Sequence, residues 1–224
     1  MGTFEKQYNW QVTLRDELGG YKLGLTSGST YYEDPRRLTF LLSRYKFASK
    51  ILTGKESVIE IGCGDAFGAR LLMQEVPAYV GIDIDPIFVS DARERPWRPY
   101  NPVFFTHDIL AGPVNHPRAA SSAVSLDVLE HISDEKENDY FRNVAASIQP
   151  DGVFVCGMPS LESQRFASGG GEGHVNCKTG DDFKSVCERH FTNVFLFSMN
   201  DEVVHTGFNK MAHYLICVCV SPKR

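Results

Sequence analysis

Long hydrophobic runs are missing from this sequence, since none approaches the ~18 apolar residues that a membrane-spanning helix needs. The N-terminal residues lack the apolar stretch of a signal peptide, and Lys6 stands where a myristoylation signal has serine or threonine. Internal repeats and low-complexity tracts are missing as well. We therefore expect a cytoplasmic protein without a membrane partner.

None of the six cysteines belongs to a C-x-x-C pair, which is the spacing of many zinc sites and redox motifs. Four of them lie in apolar or helical patterns. Cys217 and Cys219, for example, alternate within an apolar run, so both would face one side of a strand. We interpret the six as reduced thiols that serve mostly as small hydrophobic side chains.

An excess of positive charge is also lacking, because the chain has 23 Lys and Arg residues and 28 Asp and Glu residues, which gives a formal charge of −5. A mildly acidic chain without a basic stripe argues against duplex nucleic acid as the partner. With 42% hydrophobic and 23% charged residues in a chain of 224, the sequence is typical of one globular domain. It resembles neither a disordered chain nor a pair of domains.

Alternating strand and helix patterns fill most of the chain. Strands are predicted at 57–61, 79–84, 103–106, 123–126 and 152–157, and helices up to 74 and at 86–93, 134–148 and 181–190. This βαβ spacing predicts an α/β fold with a mainly parallel sheet and helices on both faces. The last two strands, 193–198 and 213–220, have no helix between them, so we expect them to pair antiparallel.

Two regions stand outside this alternation. Residues 1–35 are polar, aromatic and glycine-rich, and we interpret them as irregular structure or short helices ahead of a helix at 34–52. Residues 158–180 form a long connection with a glycine-rich run at 168–173. Connections of that length are usually functional or mobile. This one could close over the site as a lid, or it could be a passive link.

The turn after the first strand, Gly62-Cys63-Gly64, carries the first chemical signal. Glycines let the backbone turn sharply and approach a ligand, at the sheet edge where α/β proteins bind ligands. A dinucleotide-binding G-x-G-x-x-G turn would need glycine at position 67, which is Phe67 here. Glu60 would also repel a diphosphate, whereas Glu60 and Asp65 favour a cationic ligand. These residues argue against a nicotinamide oxidoreductase.

Two further strands are followed by carboxylates. Asp83 ends the second strand, where it can accept hydrogen bonds from both hydroxyls of a ribose. Asp108 follows the third strand, where it can accept a hydrogen bond from the exocyclic amine of an adenine. Together with Glu60, acidic residues at the ends of three consecutive strands predict a site for a ligand that contains a nucleoside.

Four segments, in this order, resemble the motifs of class I S-adenosylmethionine-dependent methyltransferases, namely 58–64, 81–85, Asp108 and 125–131. The resemblance runs from about residue 38 to the C-terminus, and these motifs identify the superfamily rather than its substrate. It implies a Rossmann-like, doubly wound, seven-stranded sheet in the order 3-2-1-4-5-7-6 with strand 7 antiparallel. It also implies S-adenosylmethionine as the cofactor and S-adenosylhomocysteine as its product.

The same resemblance implies roles for particular parts of the chain. Residues 1–35 would cover the cofactor and substrate, ahead of a cofactor-binding core at 36–224 in a single domain. Asp83 would bind the ribose hydroxyls and Asp108 the adenine, with Ile109 or Leu110 on the adenine face. The implied cofactor-binding residues are Glu60, Gly62, Cys63, Gly64, Asp83, Ile84, Asp108, Ile109 and Asp127.

The segment after the fourth strand supplies candidate catalytic residues. Asp127, Glu130 and His131 are spaced i, i+3 and i+4, so a helical turn would place them on one face. A histidine there can act as a general base toward a hydroxyl or phenol, although positioning can supply much of the rate of a methyl transfer. We predict that His131, His174 and Glu130 are catalytic. The alternative is that Glu130 and His131 only brace the turn.

A carboxylate and histidine set in this region also resembles that of metal-dependent relatives. These relatives are the ubiquinone-pathway O-methyltransferases and the enzymes that methylate the 3′-terminal 2′-hydroxyl of small RNAs. The set is Asp127, Glu130, His131 and His174. Two carboxylates and two imidazoles can hold Mg²⁺, Mn²⁺ or Zn²⁺. Because Asp127 replaces a glutamate of those relatives, we favour a metal-free site and leave the metal ligands open.

The predicted function is therefore transfer of a methyl group from S-adenosylmethionine to an oxygen, or less favourably a nitrogen, of a small-molecule acceptor. A sugar, a nucleotide-sugar or a quinone-like precursor would suit the family analogy. One alternative is a metal-dependent RNA-end 2′-O-methyltransferase. Another, from a different class, is a non-catalytic cofactor-binding or scaffold domain. The acceptor and the oligomeric state stay open.

Overall fold

The computed structural model describes residues 2–117, 119–166 and 173–224. Its strands are β1 (Ser57–Ile61), β2 (Ala78–Asp83), β3 (Val103–Thr106), β4 (Ala120–Leu126), β5 (Ile148–Pro159), β6 (Phe191–Asn200), β7 (Val203–His205) and β8 (Tyr214–Pro222). Its α-helices are α1 (Asn9–Leu18), α2 (Leu25–Glu33), α3 (Arg36–Ile51), α4 (Ala69–Met73), α5 (Pro86–Arg93), α6 (Asp134–Ser147) and α7 (Gly180–His190).

All of these strands belong to one sheet in the order β3-β2-β1-β4-β5-β8-β6-β7. The pairs β1–β2, β1–β4, β2–β3 and β4–β5 are parallel. Strand β8 lies antiparallel between β5 and β6, because no helix carries the chain back across the sheet after β6. The predicted Rossmann-like order is confirmed, with β8 in the place of the predicted strand 7.

An eighth strand corrects the predicted count of seven. Strand β7 pairs antiparallel with β6, with Asn200 opposite Val203, so residues 201–202 form a two-residue hairpin turn. Asp201 has a φ of +50°, which lies in the left-handed region that such tight turns use. A strand of only three residues is too short to show an alternation in the sequence.

Apolar layers cover both faces of the sheet. In β1, Val58 packs into a cluster with Tyr45 of α3 and Leu72 of α4. Its neighbour Ile59 packs into a second cluster that includes Phe141 of α6. Successive strand residues point to opposite faces, so a nearly continuous apolar strand is buried on both sides. The predicted helices on both faces are confirmed.

The connection after β5 is closed at its base. Ser160 bridges to Lys178, and a 3₁₀ turn spans Glu162–Phe166. The part of the glycine-rich run at 168–172, which we predicted as a lid or a passive link, lies outside the described residues.

Three further features concern the cysteines, the apolar character of the helices and the N-terminal region. All six cysteines are free, and five of them are buried. Among the helices of the described residues, none combines the length and apolar character needed to cross a bilayer. The N-terminal region contains the short helices α1 and α2, one of the two interpretations of that stretch.

Candidate active site

A cavity of about 620 Å³ lies at the carboxyl edge of the sheet, within the usual size range of small-molecule sites. It is lined by residues that end or follow the first four strands, together with residues from α2 and α3. Its lining includes most of the predicted cofactor residues, namely Gly62, Cys63, Gly64, Asp83, Ile84, Asp108, Ile109 and Asp127. The structure therefore brings these side chains and backbone turns together at one cavity.

The glycine turn after β1 has a backbone that other residues would strain. Gly62 has φ +70° and Gly64 has φ +52°, both in the left-handed region that favours glycine. A Cβ atom on Gly62 would overlap the Val128 side chain, whereas a Cβ on Gly64 would meet no described atom within 4 Å. Gly62 thus lets the segment after β4 approach, and Gly64 leaves open space beside the backbone for a ligand.

Asp83 is fixed at the end of β2 by the glycine turn. Its Oδ2 accepts a hydrogen bond from the Gly64 amide at 2.8 Å, and its Oδ1 accepts one from the Asp85 amide at 2.9 Å. The side chain is nearly buried, and it lines the cavity. Because a carboxylate offers about four acceptor positions, two backbone bonds leave capacity for ligand hydroxyls.

The wall beyond Asp83 combines one acid with flat and branched apolar groups. Asp108 Oδ1 accepts a hydrogen bond from the Leu110 amide at 2.8 Å. Ile84, Phe88 and Ile109 line the same cavity. Phe88 was missed from the sequence because it lies in α5, where an aromatic residue reads as ordinary helix packing. This arrangement suits a planar base with a polar edge.

Glu60 differs from the sequence expectation, because its carboxylate does not line the cavity. The residue is only 1% exposed, and its two oxygens accept hydrogen bonds from the hydroxyls of Tyr45 and Tyr79. Burial raises the pKa of Glu60 to about 7, against the opposing effect of these two hydrogen bonds. On strand β1 the side chain shares the face of Val58 and so points under α3. The geometry gives Glu60 a bracing position behind the cavity wall.

We expect this burial to make stability depend on pH. Glutamate titrates near ~4.3 in an unfolded chain, so the stability that Glu60 contributes is complete below that pH and is lost as the pH rises to about 7. Relative to Glu60→Gln, the wild type should lose on the order of 3 kcal/mol between pH 4.5 and pH 8. Urea unfolding of both proteins across this range measures the difference. A wild-type-to-variant difference that does not change with pH would contradict the assignment.

The segment after β4 also carries a strained residue at the cavity. Asp127 has φ +58°, and its amide donates to the Gly157 carbonyl at 3.0 Å. Its carboxylate accepts two hydrogen bonds from Nη1 of Arg44, at 2.8 and 3.1 Å. Arg44 lies in α3 and gave no signal in the sequence, because the two residues are far apart in the chain. The turn that follows is a 3₁₀ turn at Leu129–His131.

The three predicted catalytic residues converge beside the cavity. The ligand atoms of Glu130, His131 and His174 all lie within 4.8 Å of one another, and the two imidazole rings are 5.0 Å apart. His131 lines the cavity, whereas Glu130 and His174 do not belong to its lining. His174 thus returns to the segment after β4. Asp127, the fourth residue of the predicted set and the one expected on the same helical face, is not part of this cluster, because its carboxylate bonds Arg44 instead.

Hydrogen bonds determine which nitrogen of each imidazole is free. Nδ1 of His131 is 3.0 Å from the Gly173 carbonyl oxygen and Nδ1 of His174 is 2.9 Å from Oε1 of Gln164. These oxygens can only accept, so each Nδ1 donates, and Nε2 is the nitrogen that carries the lone pair whenever the ring is neutral. Burial and the neighbouring His131 lower the pKa of His174, which favours its neutral, proton-accepting form.

Glu130 is a buried carboxylate whose side-chain oxygens have no hydrogen-bond partner among the described residues. It is 1% exposed. Burial, and then the charge of Asp127, raise its pKa to about 8. Such a group needs either a proton or a cation. The donor set of Glu130, His131 and His174 therefore fits a divalent metal, and it equally fits a protonated acid beside two neutral imidazoles.

The N-terminal region reaches the cavity through α2. Thr26 lines the cavity, and the first turn of α2 is held by two carboxylates. The Ser27 amide donates to Asp65 Oδ2 at 2.6 Å, and the Leu25 amide donates to Asp91 Oδ2 at 3.1 Å. Carboxylates are favourable at a helix N-terminus. Because Asp65 belongs to the turn after β1, this contact ties the N-terminal region to the glycine turn.

Replacing Gly24 should loosen this contact. An alanine Cβ at position 24 would overlap the side chains of Arg95 and Asp65. We expect Gly24→Ala to lose about 1–3 kcal/mol of stability, and to raise the dissociation constant of S-adenosylhomocysteine roughly fivefold or more. Gly28→Ala is the matched control in the same helix, since its Cβ would meet only an ordinary contact with Leu23. Equal cofactor affinity in both folded variants would argue against a role of α2 at the cavity.

The cavity fits S-adenosylmethionine, judged from the groups that surround it. Open space beside the Gly64 backbone, a fixed carboxylate at Asp83, and the Asp108 wall with apolar neighbours match a glycine turn, a ribose site and an adenine site. An open doubly wound sheet that presents such a cavity at its carboxyl edge defines the class of Rossmann-like enzymes that use a nucleoside-containing cofactor.

Comparison with known proteins then gives the family. A family model described as a methyltransferase domain matches residues 33–206, and the chain belongs to this family. A probable S-adenosylmethionine-dependent methyltransferase of Mycolicibacterium smegmatis is 30% identical over 105 residues, which are 46% of this chain and 38% of that protein. The chain thus spans well under half the length of this curated relative. The resemblance of the sequence motifs to S-adenosylmethionine-dependent methyltransferases agrees with this family.

Two solved structures share the fold. One is the N-methyltransferase NodS of Bradyrhizobium japonicum in complex with S-adenosylhomocysteine, with a TM-score of 0.61 and 18% identity over 84% of this chain and 87% of that one. The other is the small RNA methyltransferase HEN1, with a TM-score of 0.61 and 17% identity over 81% of this chain and 25% of that one. One is described as an N-methyltransferase and the other as a small RNA methyltransferase, so the shared fold does not indicate one acceptor.

Proposed function

We propose that this methyltransferase transfers its methyl group to a hydroxyl oxygen of a small-molecule acceptor. The observation that carries the proposal is the ring of His131, which lines the cavity and donates from Nδ1 to Gly173, while its Nε2 has no hydrogen bond among the described residues. A hydroxyl must lose a proton as its oxygen is methylated, whereas a neutral amine attacks with its own lone pair. An imidazole that presents Nε2 as a proton acceptor beside the cavity therefore favours oxygen over nitrogen.

The proposed division of roles follows the strand order. Asp108 and Ile109, after β3, would hold the adenine, and Asp83, at the end of β2, would hold the ribose hydroxyls. Gly62, Cys63 and Gly64 would face the remaining part of the cofactor, with Asp127 at its amino-acid end. When bound, S-adenosylmethionine supplies a methyl group on a positively charged sulfur. His131 would take the acceptor proton at Nε2, and His174 and Glu130, whose ligand atoms lie within 4.8 Å of those of His131, would support its ring.

The choice of a small acceptor rests on the net charge of the chain and on the walls of the cavity. The formal charge of −5 and the lack of a basic stripe give a duplex polyanion little attraction. Thr26 of α2 adds a wall to the cavity beside the strand ends. Sugars, nucleotide-sugars and quinone-like phenols are the classes we propose for the acceptor, and the cytoplasm is the compartment.

A paired acceptor screen tests this proposal. Purified protein is incubated with S-adenosylmethionine and hydroxyl acceptors, or with the amine analogues of the same compounds, and S-adenosylhomocysteine release is measured. We expect turnover with at least one hydroxyl acceptor that exceeds turnover with its amine analogue. Consistently faster methylation of the amine analogues would show that the methylated atom is nitrogen rather than oxygen.

A metal-dependent RNA-end 2′-O-methyltransferase is the second candidate. It is favoured by the donor cluster of Glu130, His131 and His174 and by the unpartnered carboxylate within it, together with the fold shared with a small RNA methyltransferase. Under this alternative the cluster would hold a divalent cation that binds the terminal hydroxyls. Loss of activity in EDTA, restoration by Mg²⁺ or Mn²⁺, and methylation of a short RNA at its 3′ end would support it over the first candidate.

A further inference from the structure

Arg44 occupies a central place beside the cavity that none of the roles above explains. It extends from the middle of α3, and its guanidinium stacks on the ring of Tyr214, with Cζ 3.7 Å from the ring centroid. Nη1 alone bonds both oxygens of Asp127. Within the described part of the chain, the buried Nε has no hydrogen-bond partner. The guanidinium is therefore held by one carboxylate and one aromatic face.

Asp127 needs such a restraint. A non-glycine residue at φ +58° occupies a sparsely populated conformation that persists only when the surroundings enforce it. The amide of Asp127 is fixed by the Gly157 carbonyl, and Val128 is fixed against Gly62. Arg44 supplies the remaining restraint, on the side chain itself. It determines where the carboxylate points.

The carboxylate that Arg44 holds keeps free acceptor positions toward the cavity. Each Asp127 oxygen accepts one hydrogen bond from Arg44, and a carboxylate has about four acceptor positions. The side chain is 34% exposed, and Asp127 lines the cavity. Asp108 follows β3 and Asp127 follows β4, which are the two outer strands of the order β3-β2-β1-β4. The two carboxylates therefore belong to opposite ends of this row of strand ends. A carboxylate at this end complements the ammonium of the amino-acid part of S-adenosylmethionine.

We propose that Arg44 is a positioning residue for the cofactor, which acts through Asp127 to orient that carboxylate toward the amino-acid group. The proposal rests on the proposed placement of Asp127 at this end of the cofactor. It predicts an effect confined to ligands that carry the amino-acid group. A role in folding alone would instead weaken every ligand of the cavity.

Two ligands separate these roles. S-adenosylhomocysteine has the amino-acid group, whereas 5′-methylthioadenosine has the same adenine, ribose and thioether without it. By calorimetric titration we expect Arg44→Met to raise the dissociation constant of S-adenosylhomocysteine roughly tenfold. The dissociation constant of 5′-methylthioadenosine should change less than about twofold. Arg44→Lys keeps the charge and should recover part of the loss, although lysine lacks the planar group that stacks on Tyr214.

A double-mutant cycle tests whether Arg44 acts through Asp127. If it does, Arg44→Met should add little to the loss that Asp127→Asn causes by itself. Full additivity would overturn the proposal, because Arg44 would then contact the ligand independently. Equal weakening of both ligands by Arg44→Met and by Arg44→Lys would overturn it too, in favour of a folding role.

The outcomes also separate this inference from the placement on which it rests. If Asp127→Asn binds S-adenosylhomocysteine as the wild type does, the placement of Asp127 fails, and the role of Arg44 with it. If Asp127→Asn weakens binding and Arg44→Met does not, only the role of Arg44 fails. Neither measurement uses an acceptor, so both are independent of the acceptor class.

Discussion

Replacing Asp83 by alanine is expected to weaken the binding of S-adenosylhomocysteine by roughly 2–4 kcal/mol, a rise of about 30-fold to 1,000-fold in the dissociation constant. The reason is that the ribose hydroxyls would lose both of their hydrogen bonds to a preorganised carboxylate. The carboxylate is already oriented by the amides of Gly64 and Asp85, so little freedom is lost on binding. Calorimetric titration of the folded variant measures the loss.

Asp85→Ala is the matched control for this experiment. Asp85 is two residues away, and its side chain caps α5 by accepting a hydrogen bond from the Ile87 amide at 2.8 Å. It does not belong to the cavity lining. Its replacement should cost about 1 kcal/mol of stability through the lost cap and leave cofactor affinity unchanged. Unchanged affinity in Asp83→Ala, with the fold intact by circular dichroism, would remove Asp83 from the ribose site.

The cofactor side of the site could be predicted from the sequence because its signals are local. A glycine turn directly after a short apolar strand, and acids at the ends of the next two strands, each lie within a few residues of a recognisable pattern. Parallel strands bring their carboxyl ends to one edge. Gly62, Asp83 and Asp108 therefore meet at one cavity as soon as the strand order is known, and that order followed from the resemblance.

The parts that could not be predicted depend on contacts between distant elements. Arg44 reaches Asp127 from α3, and Thr26 reaches the cavity because Asp65 holds the first turn of α2. No periodicity in a helix indicates which polar residue will bridge to a strand end. Glu60 shows the same limit. Its position in the motif is local information, but the two tyrosine hydroxyls that turn it away from the cavity come from α3 and β2.

Replacing His131 by alanine is expected to lower turnover about 10²-fold to 10⁴-fold, the usual range for loss of a general base. The dissociation constant of S-adenosylhomocysteine should change by less than about threefold, because the proposed role of the ring is toward the acceptor. We expect the same pattern, with a smaller loss of turnover, for His174→Ala, whose ring lies 5.0 Å from that of His131. Initial rates with the best hydroxyl acceptor, together with calorimetry, separate the two quantities.

His116→Ala is the control for the loss of an imidazole elsewhere. His116 is exposed, packs on Phe105 and does not line the cavity. Turnover in this variant should equal that of the wild type. If His131→Ala and His174→Ala also keep wild-type turnover, the proton leaves to solvent or to another group, and the two histidines are structural.

The acidity of the acceptor distinguishes a base from a residue that only orients the substrate. An alcohol keeps its proton until the transition state, whereas an acidic phenol is partly ionised in water and needs less help. If Nε2 of His131 takes the proton, the defect of His131→Ala should shrink steadily as the acceptor hydroxyl becomes more acidic. A ring that only positions the acceptor would give the same defect across the series. Rates of wild type and variant on a set of substituted phenols therefore test the role of the imidazole itself, with the cofactor and its binding residues unchanged.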